Sequence, residues 1–155
     1  MSIELEVRLG GRRASVAELL DAIAQELRAW PSQTDHHEPW ELSSSEDLAR
    51  VLSGEEGSAE VTLSSTVGAE ILASCPGSEA ELGEDGGTWL VILPRTRYPA
   101  AITFTLLVAA CLARVCGAKV VDESGLVSKD RFVDAETVLA VARARRISLL
   151  REGQS

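Results

Sequence analysis

The first residues of the chain alternate apolar and polar side chains. This period of two over residues 2–9 predicts a strand with one face on the core and the other toward water. Ser15 and Glu18 then have the spacing of a capping box, in which the hydroxyl and the carboxylate each accept a backbone N–H at the start of a helix. We expect that helix to end at Pro31, because apolar residues recur every three or four positions up to there. The polar residues predicted to face water are Glu18, Asp21, Gln25, Glu26 and Arg28.

The middle of the chain carries shorter patterns. The serines at 43–45 predict the start of a short helix that ends at Gly54. Small or apolar residues at the odd positions of 59–73 predict strand structure, and fifteen residues exceed a usual strand, so Ser64 and Ser65 mark a turn or bulge. Residues 89–93 are apolar without alternation, which is typical of a strand covered on both faces or placed in the middle of a sheet.

The most apolar part of the chain lies between Pro99 and Gly117. Proline fits the first turn of a helix and glycine the residue after the last turn, so we predict a helix over residues 100–115 without a polar face. The uncharged stretch 98–113 has 16 residues, fewer than the roughly 18 to 20 that a membrane span needs. We therefore expect a buried central helix. Residues 119–122 predict a short strand, and Asp134 predicts the N-cap of a last helix.

This order of elements favours an α+β fold. We predict a two-layer sandwich, with an antiparallel or mixed sheet, two long helices and one or two shorter ones. A single domain over residues 1–155 is expected, with about residues 152–155 as a frayed tail. A chain of this length buries roughly 70% of its extended surface, which is enough for one core.

Charge is distributed unevenly along the chain. The net charge is −9, which disfavours nucleic acid and anionic membranes as partners. Residues 1–85 hold 18 acidic and 5 basic side chains, whereas residues 86–155 hold 6 and 10. Carboxylates collected on one face would steer the protein onto a basic partner, although acidic surfaces also serve solubility alone.

The start of the chain lacks the basic and then apolar segments of an export signal. The three cysteines have none of the spacings of a secreted disulfide scaffold. We therefore expect a cytoplasmic protein, and we expect Cys111 and Cys116, which lie in the apolar helix, to be packing residues.

Four adjacent polar residues include both histidines of the chain. Asp35, His36, His37 and Glu38 are potential ligands of zinc or another divalent ion. Metal ligands are usually spaced by two to four residues or come from separate elements, so we favour a polar surface loop. The sequence thus predicts no metal and no other cofactor, and His36 and His37 are the candidates should a metal bind.

Cys75 precedes a Pro-Gly turn at the end of a predicted strand, where thiol nucleophiles occur, with His36 or His37 as the base. Acidic neighbours raise a thiol pKa, so we favour an inert thiol and predict no catalytic residue. Arg95 and Arg97 are candidates for holding an anion, but we favour pairing with the protein's own carboxylates.

Residues 112–125 combine an apolar helix that ends at glycine with a short strand that ends in Asp122 before a turn. In this order of element ends the segment resembles the carboxyl-terminal part of several families of small bacterial immunity-type α+β proteins. Those proteins neutralise a toxin made by the same cell. The resemblance implies a protein-binding protein without enzymatic activity.

We therefore hypothesise that the acidic amino-terminal half binds another protein, with a basic toxin domain as the favoured partner and Trp40 as an aromatic anchor. One alternative is a small enzyme or metal-dependent binding domain that uses His36, His37 and Cys75. A second is an assembly subunit whose strand edges pair between copies. The predicted partner-binding residues are Asp35, His36, His37, Glu38, Trp40, Glu41, Glu79, Glu81, Glu84 and Asp85.

Overall fold

The computed structural model describes residues 4–8, 12–29, 42–63, 67–74, 89–122, 125–127 and 132–145. They form four helices and one seven-stranded sheet, so the predicted α+β class is confirmed. The elements are β1 (Leu5–Arg8), α1 (Val16–Ala29), β2 (Ser43–Ser44), α2 (Leu48–Leu52), β3 (Gly57–Thr62), β4 (Gly68–Ser74), β5 (Trp89–Pro94), α3 (Pro99–Cys116), β6 (Val120–Asp122), β7 (Phe132–Val133) and α4 (Ala135–Ala144).

The sheet is antiparallel throughout, in the order β2-β3-β4-β5-β1-β6-β7. The first strand of the chain therefore lies between two strands that come more than eighty residues later in the sequence. β5 is in the middle of the sheet, as its apolar sequence predicts. Both edge strands, β2 and β7, are only two residues long.

One face of the sheet packs on the helices. The side chains on this inner face are almost fully buried, because α3 covers β1, β4, β5 and β6 while α2 covers β3 and β4. α1 and α4 in turn pack on α3. The inner face consists of Leu5, Val7, Ala59, Val61, Ala69, Ile71, Ala73, Leu90, Ile92, Val120 and Val133.

α3 is the central helix of the core. Pro99 is in its first turn, and Gly117 ends it in the left-handed conformation at φ 66°, which glycine adopts without steric cost. Among the described residues it is the one helix that could cross a membrane by length and composition, and 78% of it is buried inside the protein. Its position between the sheet and two helices accounts for its apolar sequence.

Local capping interactions define the starts of α1 and α4. The Ser15 backbone N–H donates to Glu18 Oε1 at 3.2 Å, and the Glu18 N–H donates to Ser15 Oγ at 3.1 Å. The predicted capping box is therefore present, and it holds the pKa of the Glu18 carboxyl below its usual value through the hydrogen bond from Ser15. Asp134 caps α4 by accepting from the Thr137 N–H at 2.8 Å.

Two local predictions are wrong. Ser43 and Ser44 form a strand against β3 instead of starting a helix, because their backbone completes the sheet edge and the helix begins only at Leu48. Glu26 does not face water but is 7% exposed. Arg143 of α4 donates from Nε to Glu26 Oε1 at 2.7 Å, and this ion pair compensates the burial of the carboxylate.

Candidate functional site: the outer face of the sheet

The outer face is the face of the sheet opposite the inner face. Along each strand its residues alternate with those of the inner face, and directly opposed residues of neighbouring strands lie on the same face. The outer face consists of Glu6, Arg8, Ser43, Ser58, Glu60, Thr62, Glu70, Leu72, Trp89, Val91, Leu93, Val121 and Phe132.

Val91 lies at the centre of this face. It is opposed to Glu6 on β1 and to Leu72 on β4, and the row continues from Glu6 through Val121 to Phe132 at the far edge. Toward one end of the strands the neighbouring row contains Trp89 beside Arg8. Toward the other end it contains Leu93 beside Glu70, with Glu60 next to Glu70.

Five apolar side chains of the outer face lie outside the hydrophobic core. Among the described residues, none of the five belongs to the buried core cluster or packs against it. Val121, which is also on this face, is 1% exposed and belongs to the core. Phe132 is 48% exposed. An apolar strip on the side of the sheet away from the helix layer is typical of a surface that contacts another molecule. The five are Leu72, Trp89, Val91, Leu93 and Phe132.

Arg8 lies against two of these aromatic rings. Its Cζ is 4.2 Å from the centroid of the Trp89 ring and 5.5 Å from that of Phe132. These distances correspond to cation–π contacts. The Nε atom is buried and has no hydrogen-bond acceptor in the described part of the chain. The rings thus fix the direction of a guanidinium whose donors are not all used.

The opposite corner of the outer face is acidic. Glu60 and Glu70 are directly opposed on β3 and β4, a like-charge arrangement that is unfavourable by itself. Arg95 Nη1 lies 3.6 Å from Glu60 Oε2, which agrees with the prediction that Arg95 pairs with the protein's own carboxylates. Gly68 makes room for Arg95, because a Cβ there would lie 2.9 Å from Arg95 Cδ. Glu70 has no ion pair within the described ranges.

The outer face therefore combines an apolar strip with Arg8 at one corner and with Glu60 and Glu70, beside Arg95, at the diagonally opposite corner. Glu6 lies in its central row, between Val91 and Val121. Tryptophan, phenylalanine and arginine are residues on which protein interfaces concentrate their binding energy. In physical terms this arrangement suits contact with a second protein surface of complementary charge.

The ten predicted partner-binding residues lie outside the described residues, as does Cys75, so those predictions stay predictions. Ser74 and Trp89, which flank segment 75–88 in the sequence, are opposed in the sheet. Within the described residues there is no group of three or more His, Cys, Asp or Glu side chains that would hold a metal ion.

Cys111 and Cys116 are free and buried, as expected of packing residues. Burial raises the pKa of the Cys111 thiol to about 12, and it also raises the pKa of Cys116. A thiol with a raised pKa is a poor nucleophile at neutral pH.

Residues 112–122 have the element ends predicted from the sequence. α3 ends at Gly117 and β6 ends at Asp122. Asp122 is 2% exposed, and its Oδ2 accepts the Val127 backbone N–H at 2.7 Å. This carboxylate therefore stabilises the chain that follows β6, which is a structural role.

The outer face was not predicted from the sequence. The feature that could have indicated it is the apolar sequence of β5, where Val91 and Leu93 occupy outward positions that are usually polar in a strand with one face toward water. The contact of Arg8 with Trp89 depends on β1 lying beside β5, which local sequence patterns do not encode.

No known family model matches this chain, and neither a curated protein nor a solved structure matches it.

Proposed function

We propose that this protein is a non-enzymatic protein-binding protein that contacts its partner through the outer face of the sheet. The favoured case is an immunity protein that neutralises a cognate bacterial toxin in the cytoplasm. The observation that carries the proposal is the strip of five apolar side chains outside the core, with Arg8 and Glu70 at opposite corners.

The chemistry of the strip supports a protein as the ligand. A sheet face of aromatic and aliphatic side chains buries area against another protein surface, whereas a small molecule is usually bound in a concave site. The contacts of Arg8 with Trp89 and Phe132 also reduce the entropy lost when this side chain is ordered by a partner.

Charge supports a basic partner. The outer face contributes Glu6, Glu60 and Glu70 to the excess of carboxylates in residues 1–85. Opposite charges accelerate encounter and disfavour wrong partners. The predicted contact residues at 35–41 and 79–85 belong to the same proposal. The toxin case itself rests on the resemblance of residues 112–125.

The test is a binding titration against the purified product of the neighbouring gene. We expect Leu93→Glu to weaken binding at least about tenfold, because it places a charge in the apolar strip. Gln25→Glu, which adds the same charge at an exposed position of α1, is the control and leaves affinity within about twofold. Binding should weaken between about 0.1 M and about 1 M salt, where the Debye length falls from about 10 Å to about 3 Å.

Two results would overturn the proposal. One is affinity that neither Leu93→Glu nor reversal of the charges at Glu79, Glu81, Glu84 and Asp85 changes. The other is a stoichiometric metal in the purified protein that is lost when His36 and His37 are replaced, because that result favours the metal-dependent alternative.

A further inference from the structure

We propose that the outer face also joins two copies of this chain face to face, with Arg8 of each copy against Glu70 of the other. The inference uses the surface on which the proposed function rests, and it goes beyond that function by naming a second copy as an occupant. Its test needs only the purified chain, so it can fail while toxin binding stands.

The first argument is the symmetric placement of the two charges. Arg8 is beside Trp89 on one side of β5, and Glu70 is beside Leu93 on the other side. Trp89 and Leu93 are each two residues from Val91, in opposite directions. With about 4.8 Å between strands and about 3.4 Å per residue, each charge lies about 8 Å from Val91 across the sheet. The two charged positions within one chain are therefore about 17 Å apart.

In a dimer with a two-fold axis, the contact between Arg8 and Glu70 forms twice. When the axis lies in the interface, passes through Val91 and bisects the line between the two charges, it puts Arg8 of each copy on Glu70 of the other. An isologous interface of this kind needs a surface that is complementary to itself. The axis also brings Val91 onto Val91, Leu72 close to Trp89 and Glu6 close to Leu93. The centre of the interface is therefore apolar except for the Glu6 side chain of each copy.

The available area limits the size of the interface. From β3 to β7 the face spans five strand spacings, or about 24 Å, and β5 is about 20 Å long. Because the sheet twists and β6 and β7 are shorter than β5, the area is at most about 500 Å² per copy and about 1,000 Å² for the pair. This is the lower limit for a specific interface. We expect a weak dimer whose population depends on concentration.

Net charge opposes the association. It therefore predicts a different effect of Glu70→Arg from the one that specific pairing predicts. Each copy carries −9, so two copies repel at long range. Arg8→Glu adds two negative charges and Glu70→Arg removes two. If only net charge mattered, Glu70→Arg would strengthen the dimer. Specific pairing predicts that both variants weaken it, because each places two like charges in contact across the interface.

The experiment is sedimentation velocity of the full chain from about 1 µM to about 1 mM, a range that covers weak interfaces. We expect a monomer–dimer equilibrium for the natural sequence and a dissociation constant raised at least about tenfold in Arg8→Glu and in Glu70→Arg. An equimolar mixture of the two variants should dimerise within about threefold of the natural protein, because both contacts are then between opposite charges. This recovery also shows that both variants are folded.

The controls are Arg28→Glu and Asp21→Arg, which make the same changes of net charge at exposed positions of α1. They should dimerise as the natural chain does, apart from the small effect of net charge. The inference is overturned by a chain that stays monomeric at about 1 mM. It is equally overturned by Glu70→Arg dimerising more strongly, or by a mixture that gains nothing over its components. If the monomeric chain still binds the toxin, the proposed function stands without this inference.

Discussion

At the scale of single residues, the strongest chemical consequence of the fold concerns Cys111. Its thiol is 1% exposed in α3, and burial raises its pKa from about 9 to about 12. Above pH 9 the unfolded thiol therefore loses its proton while the native thiol keeps it. Because the native state then binds more protons, the free energy of unfolding falls as the pH rises from about 9 toward about 12. Below pH 9 both states keep the thiol proton, so this group causes no further change of stability with pH.

We predict that Cys111→Ala reduces this pH dependence. The difference in unfolding free energy between the natural chain and Cys111→Ala should shrink by about 2 kcal/mol between about pH 8 and about pH 10.5. Urea unfolding at both pH values measures it, and every other titrating group cancels because both chains contain it. A difference that does not change with pH would contradict the burial of this thiol.

The burial of a side chain was predictable from the sequence where neighbouring residues in the chain determine it. Cys111 and Cys116 lie inside an apolar run, so their burial followed from local sequence alone. Glu26 was placed on the water side because its helical position is polar, and only a residue 117 positions away explains its burial. Long-range partners of this kind leave no trace in a local pattern.

At the scale of elements, the capping box at the start of α1 gives a direct prediction. Ser15→Ala removes the hydroxyl that accepts the Glu18 N–H, and we expect it to lower the free energy of unfolding by about 1 kcal/mol. Urea unfolding monitored by circular dichroism measures the change. Ser58→Ala, at an exposed strand position, is the matched control and should change stability by less than about 0.5 kcal/mol. Equal effects of the two variants would show that the cap does not stabilise α1.

Elements were predictable where caps or long periodic patterns mark them. Pro99 and Gly117 bracket α3, and the alternating positions of 59–73 became the hairpin of β3 and β4. The two-residue strands β2 and β7 were not predicted, because two residues carry no period. The strand order was not predictable either, since β1 pairs with strands that are distant in sequence. The outer face depends on that order, which is why the sequence analysis missed it.

At the scale of the whole molecule, one ion pair connects the two ends of the chain. Arg143 in α4 donates to both carboxylate oxygens of Glu26 in α1, at 2.7 and 3.3 Å. The hydrogen bond to Glu26 raises the pKa of Arg143. Since α1 and α4 both pack on α3, this pair ties the helices that cover the central helix.

We predict that Arg143→Met destabilises the protein more than either the loss of a surface pair or the removal of both charges. It removes the Arg143 cation from the buried Glu26 carboxylate. Breaking a completely buried ion pair by removing one partner costs about 3 to 5 kcal/mol. Because the Arg143 side chain is 48% exposed, water partly replaces it in the variant. We therefore expect the free energy of unfolding to fall by about 1 to 3 kcal/mol. The double variant Glu26→Leu with Arg143→Met should recover part of this loss, because no charge then remains buried.

Arg114→Met is the matched control, since it makes the same substitution in an exposed pair with Glu136. This variant should lower the free energy of unfolding by at most about 1 kcal/mol. Urea unfolding at neutral pH, with an unchanged dependence on denaturant, compares the natural chain, these three variants and the single variant Glu26→Leu. If Arg143→Met costs no more than Arg114→Met, Glu26 is solvated in solution and the ion pair does not hold α1 and α4 together. If the double variant costs as much as the sum of its single changes, the two side chains act independently and the link between the ends of the chain lies elsewhere.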